Sequence, residues 1–269
     1  MYSVVILTLN EEKALPSCLL SLAGCSDIVV LDSGSKDGTV KIAEARGARV
    51  YSRAFDTFAG QRNHAQRSIT FRNPWVFHID ADERMTPELD AECARATERT
   101  DLDGFRVAPK MLFEGRWIRH CTDYPAYQAR LVRAPAFEFI QVGHGQREAP
   151  GMRLGTLQES YLHDISIYGT DEWLEKHRRY ARAEAARMLQ GASQEGSWSE
   201  LLSSDALVRR RALKRLSFKF PLRPLLRFVY QYGLRGGFLD GRQGFRYCLL
   251  LSRYEGFISA EMTKLRSKG

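Results

Sequence analysis

The sequence predicts an α/β protein: a mostly parallel, doubly wound sheet followed by a basic, amphipathic helical segment. Over the first hundred residues, short apolar runs alternate with stretches of helical spacing, the pattern of parallel strands joined by crossover helices. Three of those apolar runs end abruptly in polar or acidic residues, as strands do when they deliver side chains to a crevice at the carboxyl edge of a sheet. Nine basic residues and no acid lie between Ala206 and Leu239, and they account for the net charge of +8. The rest of the chain is close to neutral, so the basicity belongs to one local surface.

The elements follow in order. Val4–Leu9 reads as the first strand, and Glu11–Leu22 as a helix with Leu15, Leu19 and Leu22 at helical spacing. Ile28–Leu31 is the second strand, and the helix through Val40–Ala45 closes at Gly47, a C-cap residue. Ala48–Ser52, a helix over Gly60–Ser68 and the strand Trp75–Ile79 continue the alternation. Beyond Thr100 the pattern loosens: Gly104–Ala108 and Gln128–Val132 read as strands around an aromatic and basic stretch, Arg116 to His120. Asp171–Leu189 is a helix that Thr170 can cap, with acids in its first turn and Gly191 at its end. Gly191–Ser199 is small and polar, a linker, and the basic segment follows it. There Leu222, Leu225, Leu226 and Val229 recur at helical spacing beside Arg223 and Arg227. With Tyr230, Tyr232 and Phe238 nearby, this suits a helix lying on an anionic membrane; a helix packed on the rest of the protein is the plainer alternative. No nucleic-acid-binding motif accompanies the charge, so nucleic acid is not an expected partner.

Composition narrows the setting. A chain of 269 residues can bury a sizeable core. Its five cysteines are scattered without a Cys-x-x-Cys pair, which argues against a disulfide framework or structural zinc and for a reducing compartment. The first residues open directly into an apolar strand, unlike a signal peptide. No apolar run approaches the ~18 residues of a membrane span. The expected place is the cytoplasm.

Chemistry concentrates at strand ends. Neither a Gly-x-Gly-x-x-Gly nor a P-loop follows the first strand, where Thr8-Leu9-Asn10-Glu11-Glu12 stands instead, and this speaks against a dinucleotide-binding site. The fourth strand runs Trp75-Val76-Phe77-His78-Ile79 into Asp80-Ala81-Asp82-Glu83. Period-two alternation puts Asp80 and Asp82 on the same side, where two hard oxygen ligands suit Mg²⁺ or Mn²⁺ that also carries diphosphate oxygens. A solvated acidic turn is the plain alternative.

Four motifs in order now add to this reading: Ile6 to Glu12, Asp32-Ser33-Gly34-Ser35-Lys36-Asp37-Gly38-Thr39, Gly60-Gln61-Arg62-Asn63, and Asp80-Ala81-Asp82-Glu83. Together they resemble family-2 inverting glycosyltransferases with a GT-A fold, most of all the bacterial lipopolysaccharide-core and exopolysaccharide branch. Weaker similarity continues through Gly115 to Ile118, Arg130 to Arg133 and Tyr161-Leu162-His163, and Gly236 to Gly241 resembles a motif near the relatives' C-terminus. The resemblance implies a GT-A catalytic domain, expected over residues 1–198; the clustered charge and leucine spacing make 199–269 the expected helical, basic membrane-surface segment.

It also implies the site. A nucleotide-sugar, in the majority case a UDP-sugar, would be bound by Thr8, Asn10, Glu11, Glu12, Asp32, Ser33, Gln61, Arg62, Asn63, Asp80 and Ala81. Mg²⁺ or Mn²⁺ would be held by Asp82, with Asp80 and His163 as further ligands; His163 could equally be a hydrogen-bonded core histidine. The acceptor would be lipid-linked or of lipopolysaccharide type, at the inner face of the cytoplasmic membrane. Inversion needs a base for the acceptor hydroxyl. Where the relatives show an adjacent His-Glu pair, this chain has His144-Gly145-Gln146-Arg147-Glu148. Glu148 is the first candidate base, ahead of Asp123 and His144. Two rivals remain at this stage. One is a nucleotide-sugar-forming nucleotidyltransferase, although Asn10-Glu11-Glu12-Lys13 is not its glycine-rich basic loop. The other is a non-catalytic membrane-surface module with a degenerate GT-A domain.

Overall fold

The alternating first ninety residues build one parallel half-sheet. β1 (Ser3–Thr8), β2 (Ile28–Asp32), β3 (Arg49–Ser52) and β4 (Trp75–Asp80) lie side by side in the order β3-β2-β1-β4, all parallel. Helices α1 (Leu15–Ser21), α2 (Thr39–Ala45) and α3 (Phe58–Ser68) make the crossovers. Alternation sends successive residues of one strand to opposite faces. Thus Val4 and Ile6 enter a large core with Phe77, Ile79 and Leu89, whereas Val5 joins a second core with Val29, Leu31, Val76 and Ala65 of α3. Burial on both faces is why these strands read as unbroken apolar runs.

The structure, a computed structural model, describes residues 1–142, 145–192, 202–205, 208–209 and 222–267. The expected domain boundary at 198/199, the candidate base His144 and the basic residues Arg210, Arg211, Lys214, Arg215 and Lys219 lie outside the described residues. The chain forms two compact units, Met1–Trp117 with Asp123–Ile167, and Ile118–Thr122 with Tyr168–Gly269.

In the first unit the sheet continues past β4 as a mixed one. β5 (Glu83–Arg84), β6 (Gly104–Phe113), β7 (Arg116–Trp117), β8 (Gln128–Arg133) and β11 (Leu154–Asp164) extend it in the order β4-β8-β6-β11-β5, with β7 on β6. β8 runs antiparallel to both neighbours, because the β6–β8 connection holds only β7 and a loop and no crossover helix. β9 (Phe139–Val142) and β10 (Gly145–Glu148) form a separate hairpin. Helix α4 (Pro87–Ala96) starts where Thr86 accepts from the Leu89 N–H at 3.2 Å, with Pro87 in the first turn. The first helix is shorter than its leucine spacing suggests. It begins at Leu15 because Pro16 lacks an N–H and fits only the first turn.

Asp27, at the opening end of β2, ties the edge of the sheet away from the strands' carboxyl ends. It is buried and accepts from Ser3 Oγ at 2.6 Å, Arg49 Nη2 at 2.7 Å and the Arg72 N–H at 2.8 Å. Burial opposes its ionisation, but the Ser3, Arg72 and Arg49 hydrogen bonds outweigh that and hold its pKa below the ordinary carboxylate value. A depressed pKa contributes stability above the unfolded value of about 3.9 and loses it as pH falls through the folded value. Asp27→Ala is therefore expected to cost about 3 kcal/mol in urea denaturation at pH 7. The deficit should shrink on acidification below about pH 4; a deficit unchanged down to pH 2 counts against the assignment.

The second unit is helical: α5 (Thr170–Ala192), α6 (Arg223–Phe228), a π-helical turn (Val229–Leu234), a 3₁₀ turn (Gly237–Asp240) and α7 (Gly241–Arg266). Ala181, Ala185 and Met188 of α5 pack on Ile258 and Met262 of α7 at helical spacings of three and four. Gly244 is required where α7 meets the 3₁₀ turn, since a Cβ there would lie 2.2 Å from the Gly237 carbonyl oxygen. Buried Asp240 accepts from the Arg119, His120 and Cys121 N–H groups, which fastens Ile118–Thr122 to this unit. The leucine stripe foreseen at Leu222, Leu225, Leu226 and Val229 is exposed, while Arg223 is buried and paired with Glu255. No helix among the described residues is long and apolar enough to cross a membrane.

Candidate active site

β1, β2 and β4 end level with one another, Thr8 beside Asp32 and Leu7 beside Asp80. Two side-chain networks grow from these ends. In the first, Asp32 accepts from Thr8 Oγ1 at 2.9 Å, from the Gly34 and Ser35 N–H groups at 2.8 Å each, and from Ser35 Oγ. Burial works against its charge, yet these bonds, Ser35's foremost, lower its pKa. Gln61 is buried beside it and donates to Ser33 Oγ at 3.2 Å and to the carbonyls of Arg53 and Ala54.

The Asn10–Glu12 loop is laced onto the following turn. Asn10 sits at φ 57°, in the left-handed region that asparagine tolerates. Its Oδ1 accepts from the Lys36 N–H at 2.8 Å, Thr39 Oγ1 accepts from the Glu11 N–H at 2.8 Å, and Glu12 accepts from the Gly38 N–H at 2.9 Å. The first two sequence motifs thus form one double loop over the ends of β1 and β2.

The second network lies at the end of β4. Arg62 is fully buried on α3 and donates to Asp80 Oδ1 at 2.8 Å. Arg130 of β8, also buried, donates to Asp80 Oδ2 at 3.3 Å, to the His78 carbonyl at 3.1 Å and to Glu83 Oε1 at 2.7 Å. Glu83 Oε2 accepts in turn from the Asp80 N–H at 2.8 Å, which fixes the Asp80–Asp82 turn. Burial raises the Asp80 pKa, but Arg62 and then Arg130 overcome it and hold the carboxyl well below its ordinary value. For Glu83, burial and the nearby Asp80 prevail over Arg130 and push the pKa up to about 7.

His163 arrives from β11, whose register sets it beside Glu83 of β5. Its Nε2 lies 3.2 Å from Asp82 Oδ2. Burial depresses its pKa, but the Asp82 carboxylate more than compensates and raises it to about 9. Asp82 and His163 are both about a quarter exposed, 27% and 26%, whereas both Asp80 oxygens are engaged by arginines. No group of three or more metal-ligating side chains occurs among the described residues. As a donor set, an accessible carboxylate and imidazole at this separation fit a divalent cation that completes its shell with substrate oxygens.

The other expected residues lie elsewhere in the first unit. Asn63 clamps the backbone of Phe139 through both its amide atoms. Ala81 is buried in the main core. Glu148, on β10, is ion-paired with Arg106 of β6, and Asp123 is exposed in the loop before β8. The structure therefore joins Thr8, Asp32, Ser33 and Gln61 in one cluster and Arg62, Asp80, Asp82 and His163 in another. Arg130 and Glu83 were assigned no role from sequence. Their signal was there: Arg130 interrupts the apolar strand Ala129 to Val132, and a charge inside a buried strand needs a partner.

The chain is similar to several known proteins. The model of the family described as Glycosyl transferase family 2 matches residues 3–138. The lipopolysaccharide core biosynthesis glycosyltransferase LpsC of Rhizobium meliloti is 26% identical over 262 residues, 92% of this chain and 89% of that protein. An uncharacterized glycosyltransferase of Rickettsia typhi is 36% identical over 91 residues, 34% of this chain and 30% of its own length. Among solved structures, S. aureus TarS 1-349 in complex with UDP-GlcNAc is similar at a TM-score of 0.44 and 15% identity, over 98% of this chain and 92% of that one.

Proposed function

The chain belongs to glycosyltransferase family 2, and we propose that it transfers a sugar with inversion from a nucleotide-sugar to a lipid-linked or lipopolysaccharide-type acceptor. The α/β unit is of the GT-A type, with strands in the order β3-β2-β1-β4 and an antiparallel strand beside β4. The observation that carries the reading is the Asp80–Asp82 turn, clamped by two buried arginines and faced by His163, at the carboxyl ends of parallel strands.

The donor, a UDP-sugar in the family's majority case, would lie across the double loop of Asn10–Glu12 and Ser33–Thr39. Asp32 and Gln61 hold that loop from beneath. Asp82 and His163 would hold Mg²⁺ or Mn²⁺, which when bound neutralises charge on the departing diphosphate. Arg62 and Arg130 keep Asp80 ionised and oriented, so this edge of the site is arranged before the donor arrives. A base takes the proton from the acceptor hydroxyl as it attacks the anomeric carbon from the face opposite the leaving group. Glu148 is the favoured base, its carboxylate oriented by Arg106, with Asp123 and His144 as the other candidates. The protein would work at the inner face of the cytoplasmic membrane, drawn to anionic lipid by its basic segment.

A thermal-shift screen against UDP-, GDP-, ADP- and dTDP-sugars, with and without Mn²⁺, tests the donor. A ligand at ~100 times its dissociation constant should add about 2.7 kcal/mol. No shift with any of them sinks the reading. Glu148→Gln should abolish transfer and leave donor affinity nearly unchanged, since the base acts on the acceptor side. Should Asp123→Asn or His144→Ala show that phenotype instead, the role of base moves there.

A further inference from the structure

We propose that one face of the second unit, built by Leu225, Val229, Phe238, Phe245 and Leu249 around a Phe228–Tyr232 stack, docks on an anionic lipid bilayer. This rests on the membrane reading above and extends the leucine stripe of α6 to a face shared with the 3₁₀ turn and α7.

Along the chain from α6 into the π-helical turn, Leu225, Phe228, Val229 and Tyr232 share one side at steps of three and four. The Phe228 and Tyr232 rings stack with centroids 5.2 Å apart. Phe245 of α7 sets its edge against both, at 5.7 and 5.5 Å, and Phe238 of the 3₁₀ turn meets Tyr232 at 6.4 Å. The aromatic contacts thus join three elements into one continuous face. Its apolar members stay in solvent: Leu225 is 55% exposed, Val229 51%, Phe238 53% and Phe245 42%. A contiguous exposed apolar surface of this kind marks an interaction site, whereas scattered exposed leucines mark nothing.

Charge identifies the occupant. From Leu222 to Tyr254 there are six arginines and one acid, Asp240. That acid is buried against the amides of residues 119–121, so it offers no negative charge at the surface. Arg223 is buried as well; Arg227, Arg235, Arg242, Arg246 and Arg253 are not. On α7, Arg242, Phe245, Leu249 and Arg253 fall on one side at helical spacing, so cations flank the apolar row at both ends. Exposed Asp171 of α5 lines the same hollow as Leu249, Arg246 and Arg253, but the unburied arginines outnumber it. Aromatic and leucine side chains framed by this net positive charge complement anionic headgroups over acyl chains. Arginine stems also reach from apolar surface to phosphate while their heads stay hydrated.

The test is co-sedimentation of the full-length protein with vesicles of phosphatidylglycerol in phosphatidylcholine, and with phosphatidylcholine alone. Wild type should partition at least about tenfold more strongly onto the anionic vesicles. The triple variant Leu225→Gln, Val229→Gln, Leu249→Gln should lose about tenfold or more of that binding, its thermal midpoint unchanged because all three side chains are exposed. A second variant, Arg242→Gln, Arg246→Gln, Arg253→Gln, should lose the preference for anionic over neutral vesicles. If both variants bind like wild type, this face is not the contact and the membrane reading stands on residues 209–219 alone. If wild type binds neither vesicle, the face and the membrane reading fall together. If the leucine variant instead turns a dimer into a monomer in light scattering, the face is a protein interface and the proposal is overturned.

Discussion

Asp82→Asn is expected to lower turnover by about 10³-fold or more while the protein stays folded. The substitution keeps the shape of the side chain and removes the charge that would anchor the cation, and loss of that assistance to a leaving diphosphate costs at least several kcal/mol of barrier. Stability should hardly move. Asp82 is partly exposed and its contact is His163, so the lost pair is worth about 1 kcal/mol, or about 2–4 °C in thermal midpoint. Turnover by wild type should vanish in EDTA and return with Mn²⁺ or Mg²⁺. Wild-type turnover that survives EDTA would remove the metal from the mechanism and Asp82 from that role.

Arg130→Met is expected to have the largest effect on stability. Arg130 and Glu83 are both buried and 2.7 Å apart, and Arg130 also supports Asp80 and the end of β4. Removing Arg130 leaves Glu83 buried without its cation, where it must take up a proton, and takes from Asp80 one of its two arginines, at about 3–5 kcal/mol. Against a typical total of about 5–15 kcal/mol, that endangers folding at 37 °C. Glu83→Gln in the same chain should recover part of the loss, because a neutral amide needs neither the cation nor a proton. Urea denaturation of the two single variants and the double variant measures the coupling. If the double variant is as unstable as the sum of the singles, the two side chains do not act as a pair.

Strands β1, β2 and β4 were legible because burial on both faces leaves a nearly pure apolar run, as in Val4 to Leu7 and Trp75 to Ile79, with an abrupt polar end. Short-range chemistry was legible as well: Gly47, foreseen as a C-cap, takes a positive φ of 76° just after α2. Other local signals passed unread, though they were present. Thr86-Pro87-Glu88 announces α4, and Pro16 denies the first helix its first turn. The length of β6 and β11 was hidden for another reason. Strands in a mixed half-sheet mix buried and half-buried positions, as in Leu154–Asp164, and blur the alternation.

By itself the sequence determined which strand ends carry acids, that four ordered motifs make a family-2 glycosyltransferase, and that positive charge gathers near the C-terminus. These depend on residue type and order along the chain. The tertiary structure decided which of those groups meet. It set Arg130 from β8 against Asp80 and Glu83, brought His163 across from β11 to Asp82, paired Glu148 with Arg106, and turned the leucines of α6 outward while burying Arg223. Each of these contacts except the last joins residues more than 40 positions apart. Strand register and sheet order set such pairings, and no local propensity encodes either one.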